Sequence, residues 1–233
     1  MPTDSIKRFI RLLKKSPDGA VFNPWWQRDK QNDVGRNAAA IRRKHLAAYL
    51  RKRIGKAKLV VVGEALGYRG GHFSGIPMTS ERILLGKKEN AGIKPEHVFS
   101  SPAGAGPRRT SKSQKCPHGF SEPTATIVWS SLLRLGLKPE QFVLWNAFAW
   151  HSFDPRRGML SNRMPTQKER SAGLSVLNAF LDLFPCDEIV ALGNVAASQL
   201  KELNVDAHRV RHPASGGAKL FRQQIGKIVN EVG

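Results

Sequence analysis

The stretch Lys58-Leu59-Val60-Val61-Val62-Gly63-Glu64-Ala65-Leu66-Gly67 decides the fold. Its first half, Lys58–Gly63, is a short apolar run without alternation, the pattern of a strand buried on both faces. Its second half puts a carboxylate one residue past that strand, between glycines that permit close approach of backbone to a ligand. Three further runs have the same character: Gln141–Trp145, Glu188–Gly193 and His208–Arg211. Each is followed by polar or glycine-rich residues and then by a helical pattern. Thr166-Gln167-Lys168-Glu169 has the form of a capping box ahead of Leu174, Leu177, Leu181 and Phe184 at helical spacing. Asn194 is placed to cap a helix through Leu200. Strands alternating with helices imply βαβ units and a mostly parallel sheet covered on both faces. Ligands of such sheets bind outside the carboxyl ends of the strands. The chemistry is therefore expected at Gly63–Met78, Asn146–Asp154 and His212–Lys219.

Charge narrows the partners. The 233 residues carry 38 Lys and Arg against 18 Asp and Glu, a formal net charge of +20. Such a field attracts polyanions and favours nucleic acid over a membrane surface. Nine of the basic residues fall between Arg36 and Lys58 with no acid among them, and Leu46, Tyr49, Leu50 and Ile54 recur there at helical spacing. That segment predicts a helix with a basic outer face. A second acid-free stretch, 97–121, reads as a long basic loop whose Arg108, Arg109, Lys112 and Lys115 are candidate DNA contacts. Trp25, Trp26 and Trp150 are assigned to packing.

No run approaches the roughly 20 apolar residues of a membrane span. Met1–Lys15 is basic and amphipathic, without the apolar core of a signal peptide. A cytoplasmic, monomeric, single-domain protein is expected over 1–233, with 1–35 an extension packed on the rest. Cys116 and Cys186 have no metal-ligand spacing and cannot supply the four thiolates of an iron–sulfur cluster. No metal and no organic cofactor are expected.

The three strand-end segments bring together a carboxylate at Glu64, an amide at Asn146 and an imidazole at His212. Such a set can activate water, read a base edge and stabilise a developing anion. Gly63-Glu64-Ala65-Leu66-Gly67 continuing to Gly75-Ile76-Pro77-Met78, Leu144-Trp145-Asn146-Ala147-Phe148, and His212-Pro213-Ala214-Ser215 occur in the order of three motifs of the uracil-DNA glycosylase superfamily, which the chain resembles from about Lys58 to Gly226. The resemblance implies an α/β/α sandwich around a four-stranded parallel sheet. It also implies an enzyme that flips uracil from single- or double-stranded DNA and hydrolyses the bond between base and sugar.

In that reading His212 stabilises the departing base and Glu64 faces the cation-like sugar, with Asp154 in reserve for positioning water. Asn146 reads the base, and Ala65, Phe73, Met78, Phe148 and His151 complete its surroundings. Ser215, Gly216 and Lys219 belong to the segment Ala214–Leu220 that approaches the minor groove, with Lys219 on phosphate and Leu220 nearby. The motifs also depart from the family. Ala65 stands where one branch has aspartate, and Leu66 where the motif has proline. Gly67 stands where a tyrosine would block thymine, although Tyr68 is adjacent. Met78 stands where a phenylalanine usually stacks on the base. The roomier pocket makes other deaminated bases such as hypoxanthine an alternative substrate. The missing aspartate makes a catalytically weak nucleic-acid-binding module the other alternative.

Overall fold

The computed structural model describes residues 2–99, 106–186 and 188–232. The chain begins with helix α1 (Pro2–Leu12), a short strand β1 (Val21–Phe22) and helix α2 (Ala38–Arg53), then enters the sheet with β2 (Leu59–Ala65). Short helices α3 (Gly71–Ser74), α4 (Glu81–Leu84) and α5 (Pro95–Val98) precede the longer α6 (Pro123–Arg134). Strand β3 (Phe142–Phe148) and the two-residue β4 (His151–Ser152) follow, then α7 (Gln167–Leu183). The chain closes with β5 (Glu188–Leu192), α8 (Gly193–Glu202), β6 (His208–Val210) and α9 (Ala218–Val232). The main sheet has four strands in the order β3-β2-β5-β6, and every neighbouring pair is parallel. Helices flank it as an α/β/α sandwich.

From β2 the chain moves to one side, to β3, and later returns to the other side of β2, to β5. The crevice between β2 and β5 is thus a topological switch point, where ligands of open parallel sheets bind. The pairing of Gly63 with Asn146 sets the ends of β2 and β3 side by side.

The capping box is present in full, with the Glu169 N–H donating to Thr166 and the Thr166 N–H donating to Glu169. Asn194 does not cap α8. That helix begins at Gly193 with Leu192 in the capping position, which places Asn194 inside the first turn. The basic face of α2 also needs correction, because Arg42 and Arg53 are fully buried. β3 is an edge strand, and its outward backbone groups need partners. The Tyr49 hydroxyl accepts from the Leu144 N–H at 2.7 Å, and Arg53 Nε donates to the Phe142 carbonyl at 2.9 Å. Arg42 lies bidentate on Asp33 at 2.6 and 3.0 Å and also donates to the Pro24 and Gln27 carbonyls. These arginines close a sheet edge and pin the N-terminal segment.

Trp25 and Trp150 are core residues, their ring N–H groups donating to the Gly75 and Leu13 carbonyls. Trp145 lies between the rings of Phe180, at 4.6 Å, and Trp25, at 6.1 Å, both nearly parallel to it. Each such pair contributes about 0.5–1.5 kcal/mol beyond burial. The stack holds β3 rigid immediately before Asn146.

Of the predicted 97–121 loop, residues 100–105 lie outside the described residues. Its remainder is tied down. Glu81, fully buried, accepts from the Thr110 and Ser111 N–H groups at 2.7 and 3.0 Å and from the Ser111 hydroxyl. No helix among the described residues is long and apolar enough to cross a membrane.

Candidate active site

At the carboxyl ends of the strands lies a cavity of about 410 Å³ bordered by Glu64, Ala65, Met78, Asn146 and His212, together with Glu122, Asn162 and Met164. A second cavity of about 670 Å³ shares Glu64, His212 and Ala214 with it and extends between the starts of α8 and α9. Of the residues expected at the site, Glu64, Ala65, Met78, Asn146 and His212 meet in the smaller cavity.

Asn146 is 2% exposed. Oriented so that both ends of its amide are satisfied, the nitrogen donates to the Trp145 carbonyl at 3.1 Å and the oxygen accepts from the Leu66 N–H at 3.2 Å. An asparagine amide has two donors and two acceptor positions. One N–H and one lone pair remain on a side chain that the backbone already orients. Gly63 allows this approach: a Cβ there would stand 2.6 Å from an amide atom of Asn146 and 3.1 Å from the Met78 sulfur. Met78 holds a left-handed backbone, φ 46°, a conformation that costs a non-glycine residue about 1–3 kcal/mol. The Trp129 indole N–H, donating to its carbonyl at 3.1 Å, helps hold it there.

His212 is half-buried, and its Nδ1 accepts from the Ala214 N–H at 3.1 Å. Nδ1 is therefore unprotonated and Nε2 carries the hydrogen. Burial and the neighbouring Arg211 lower the pKa of the ring, so the neutral form is favoured. The turn that follows is built from Ser215, φ 51°, and Gly216, φ 77°. Glu64 borders both cavities, and burial raises its pKa, an effect that Arg170 opposes.

Four expected residues lie elsewhere, for identifiable reasons. The Asp154 carboxylate accepts from the Arg156 N–H at 2.9 Å, making it a turn former outside both cavities. Phe73 is fully buried with its ring stacked on Phe120 at 4.5 Å, which leaves no face for a base. Phe148 is buried beneath α7 against Gly173 and Trp150. His151 is fully buried, donating from Nε2 to the Ser161 carbonyl at 2.8 Å and accepting at Nδ1 from His72 at 2.9 Å. It reaches the site only through the 161–164 segment, whose Asn162, Arg163 and Met164 border the cavity.

This cluster makes a stability prediction. Burial, with His72 adding to it, pushes the His151 pKa down to about 3. Unfolded, a histidine takes its proton near pH 6.5. The unfolded chain therefore binds more protons below that pH, and stability is full above about 6.5 and lost as pH falls toward 3. Urea midpoints should fall from pH 7 to pH 4, and His151→Asn should weaken that dependence by up to one proton. An equal dependence in the variant would remove His151 as its source.

The DNA-contact candidates divide. The Arg109 guanidinium donates to the Cys116 and Pro117 carbonyls, and Lys112 Nζ donates to the Gln31 carbonyl at 2.7 Å. Both are committed within the protein. Arg108, Lys115, Ser215, Gly216 and Lys219 are exposed. Leu220 and Met164, 46% and 61% exposed, are large apolar side chains bordering the two cavities. Glu122, Asn162 and Met164 were not foreseen from the sequence. Only Glu122 carried a signal, as the first acid after the acid-free stretch and directly before the helix-starting Pro123.

A family model described as the uracil DNA glycosylase superfamily matches residues 53–230. Among solved structures, the chain is similar to wild-type SMUG2 of Pedobacter heparinus, with a TM-score of 0.63 over 98% of this chain and 97% of that one, at 12% identity. No curated protein sequence matches.

Proposed function

We propose that this chain, which belongs to the uracil DNA glycosylase superfamily, flips uracil out of DNA and hydrolyses its N-glycosidic bond, leaving an abasic site. Membership makes it a DNA glycosylase of damaged bases; uracil as the base and the roles that follow are our reading. The observation that carries it is the pre-oriented Asn146 amide in one cavity with a neutral His212. The free lone pair and N–H of Asn146 match uracil N3–H and O4. Cytosine has the opposite pattern at both atoms and would leave buried groups unpaired.

As the bond breaks, negative charge gathers on the pyrimidine, mostly near O2. His212 Nε2–H donates a hydrogen bond where that charge develops, in a site that already holds the donor in place. Glu64, bordering both cavities, stabilises the cation-like sugar and positions water. The Glu64–Ala65 backbone N–H groups assist at O2. Unstacking the base costs a few kcal/mol. Phosphate contacts offset this cost, and Leu220 and Met164 can fill space the base vacates. The absence of a side chain at Gly67, on the cavity border, favours a second reading, in which hypoxanthine is also accepted.

Oligonucleotides containing one uracil, one hypoxanthine or neither, incubated with the protein and then treated with alkali, test the base. Cleavage at uracil is expected, and cleavage at hypoxanthine alone would overturn the uracil assignment. Binding should also be salt-dependent. If about six phosphates are neutralised, a plot of log affinity against log salt should have a slope of about −5. Joint substitution of Lys115 and Lys219 by Ala should reduce that slope by about 2. Lys112→Ala should not change it, since that lysine is tied to Gln31. An unchanged slope in the double variant would place both lysines off the DNA.

A further inference from the structure

Glu122 borders the base cavity and has no part in the mechanism above. It occupies the capping position of α6, yet its side chain makes no capping hydrogen bond. The carboxylate turns instead toward the loop after β2. A Cβ at Gly70 would overlap it, standing 2.7 Å from its Cδ, and a Cβ at Gly67 would stand 3.7 Å from Oε1. Its Oε2 is buried and unpartnered. The other charged or titratable side chains bordering the cavity are Glu64, Arg69, Arg163 and His212. Arg69 donates to the Tyr68 hydroxyl at 2.9 Å, and Arg163 is held bidentate by Glu169 at 2.7 and 2.6 Å. Neither cation neutralises Glu122. A buried polar atom without a partner is costly. Oε2 lies against Gly70, whereas Oε1 lies toward Gly67, which borders the cavity, so Oε1 is the oxygen that a ligand meets.

We propose that Glu122 is a further base-contacting residue, its carboxylic acid donating a hydrogen bond to an acceptor atom of the flipped base from the Gly67–Gly70 wall. The inference rests on the base-cavity assignment above. A neutral donor is strengthened as negative charge gathers on the leaving base, whereas a carboxylate in the same place opposes that charge. No bond to Glu122 forms or breaks, and the proton stays on its oxygen. Burial pushes this carboxyl up to about 7, so its charge state changes across neutral pH. The folded value lies above the unfolded one. The stability linked to the group is thus full below about pH 4.5 and lost as pH rises through about 7. The hydrogen bond to the base is lost over the same rise.

The test is single-turnover excision from a saturating uracil oligonucleotide between pH 5.5 and 9, for the parent, Glu122→Gln and Glu122→Ala. The parent rate should fall about tenfold as pH rises from 6 to 8.5. Glu122→Gln, a permanently neutral donor of the same size, should lose that alkaline fall. Glu122→Ala should be about tenfold slower than the parent at pH 6. Thermal melting at pH 6 checks folding, and if the Ala variant is unfolded the Gln profile alone decides. A Gln variant with the parent's alkaline fall, or a folded Ala variant with the parent's rate at pH 6, overturns the proposal. A parent that releases hypoxanthine but not uracil refutes the uracil assignment separately, and the same comparison then judges Glu122 on hypoxanthine.

Discussion

His212→Ala should lower the single-turnover rate of uracil excision by about a hundred- to a thousandfold, with little change in affinity for uracil-containing DNA. The Ala214 N–H occupies Nδ1, so the ring has one free donor, Nε2–H. The bound uracil is neutral and the departing one is anionic, so the hydrogen bond gains most of its strength after binding. Its loss therefore appears in the rate. Because the lowered His212 pKa keeps the ring neutral, the rate should hold through neutrality on account of this group and fall only where acid protonates Nδ1 and breaks the contact with Ala214. Glu64→Gln keeps size and hydrogen-bonding reach but removes the charge facing the sugar, and it should also act on the rate. If both groups serve one transition state, the double variant should lose less than the product of the single losses. Quench-flow measurement at saturating DNA separates rate from affinity. A His212→Ala variant that binds more weakly but reacts at the parent rate would remove the anion-stabilising role.

Asn146→Asp should lower uracil excision by at least about a hundredfold and admit cytosine weakly. The amide oxygen accepting from Leu66 and the nitrogen donating to Trp145 leave one acceptor and one donor for the base. Aspartate removes the donor that matches uracil O4, and as a carboxylate it would face both O4 and the Trp145 carbonyl. Protonated, it can donate to N3 of cytosine while its other oxygen accepts from the exocyclic amine. Rates on otherwise identical uracil and cytosine oligonucleotides give the ratio directly. Full uracil activity in this variant would mean that another group reads the base.

The four parallel strands and their loaded carboxyl ends were legible because buried strands are short apolar runs and turns carry their own chemistry. Lys58–Gly63 lacks the polar–apolar alternation of a half-exposed strand, and the Thr166–Glu169 box marked α7 by local hydrogen bonding alone. Glu64, Asn146 and His212 could be brought together from sequence because each lies within a residue or two of a strand end, where topology fixes position. Phe73, His151 and Asp154 lie farther along, and there packing decides, while Phe148, the last residue of β3, is buried beneath α7 and does not face the cavity. Phe120 covers Phe73, and the His72 and Ser161 contacts bury His151. The burial of Arg42 and Arg53 was hidden for a similar reason, since their partners are backbone carbonyls of distant segments, Pro24 and Phe142 among them. Glu122 lacked a periodic pattern altogether. Its place depends on two glycines about fifty residues earlier, Gly67 and Gly70, that leave room for its carboxylate.

Mass spectrometry of the products formed from a single-uracil oligonucleotide tests the central claim most directly. Free uracil is expected together with an intact strand lighter by the mass of uracil less one water, broken only after alkali, and a product yield sharply reduced in His212→Ala. Release of no base from DNA that the protein nonetheless binds would contradict it and leave a nucleic-acid-binding module with the shape of a glycosylase.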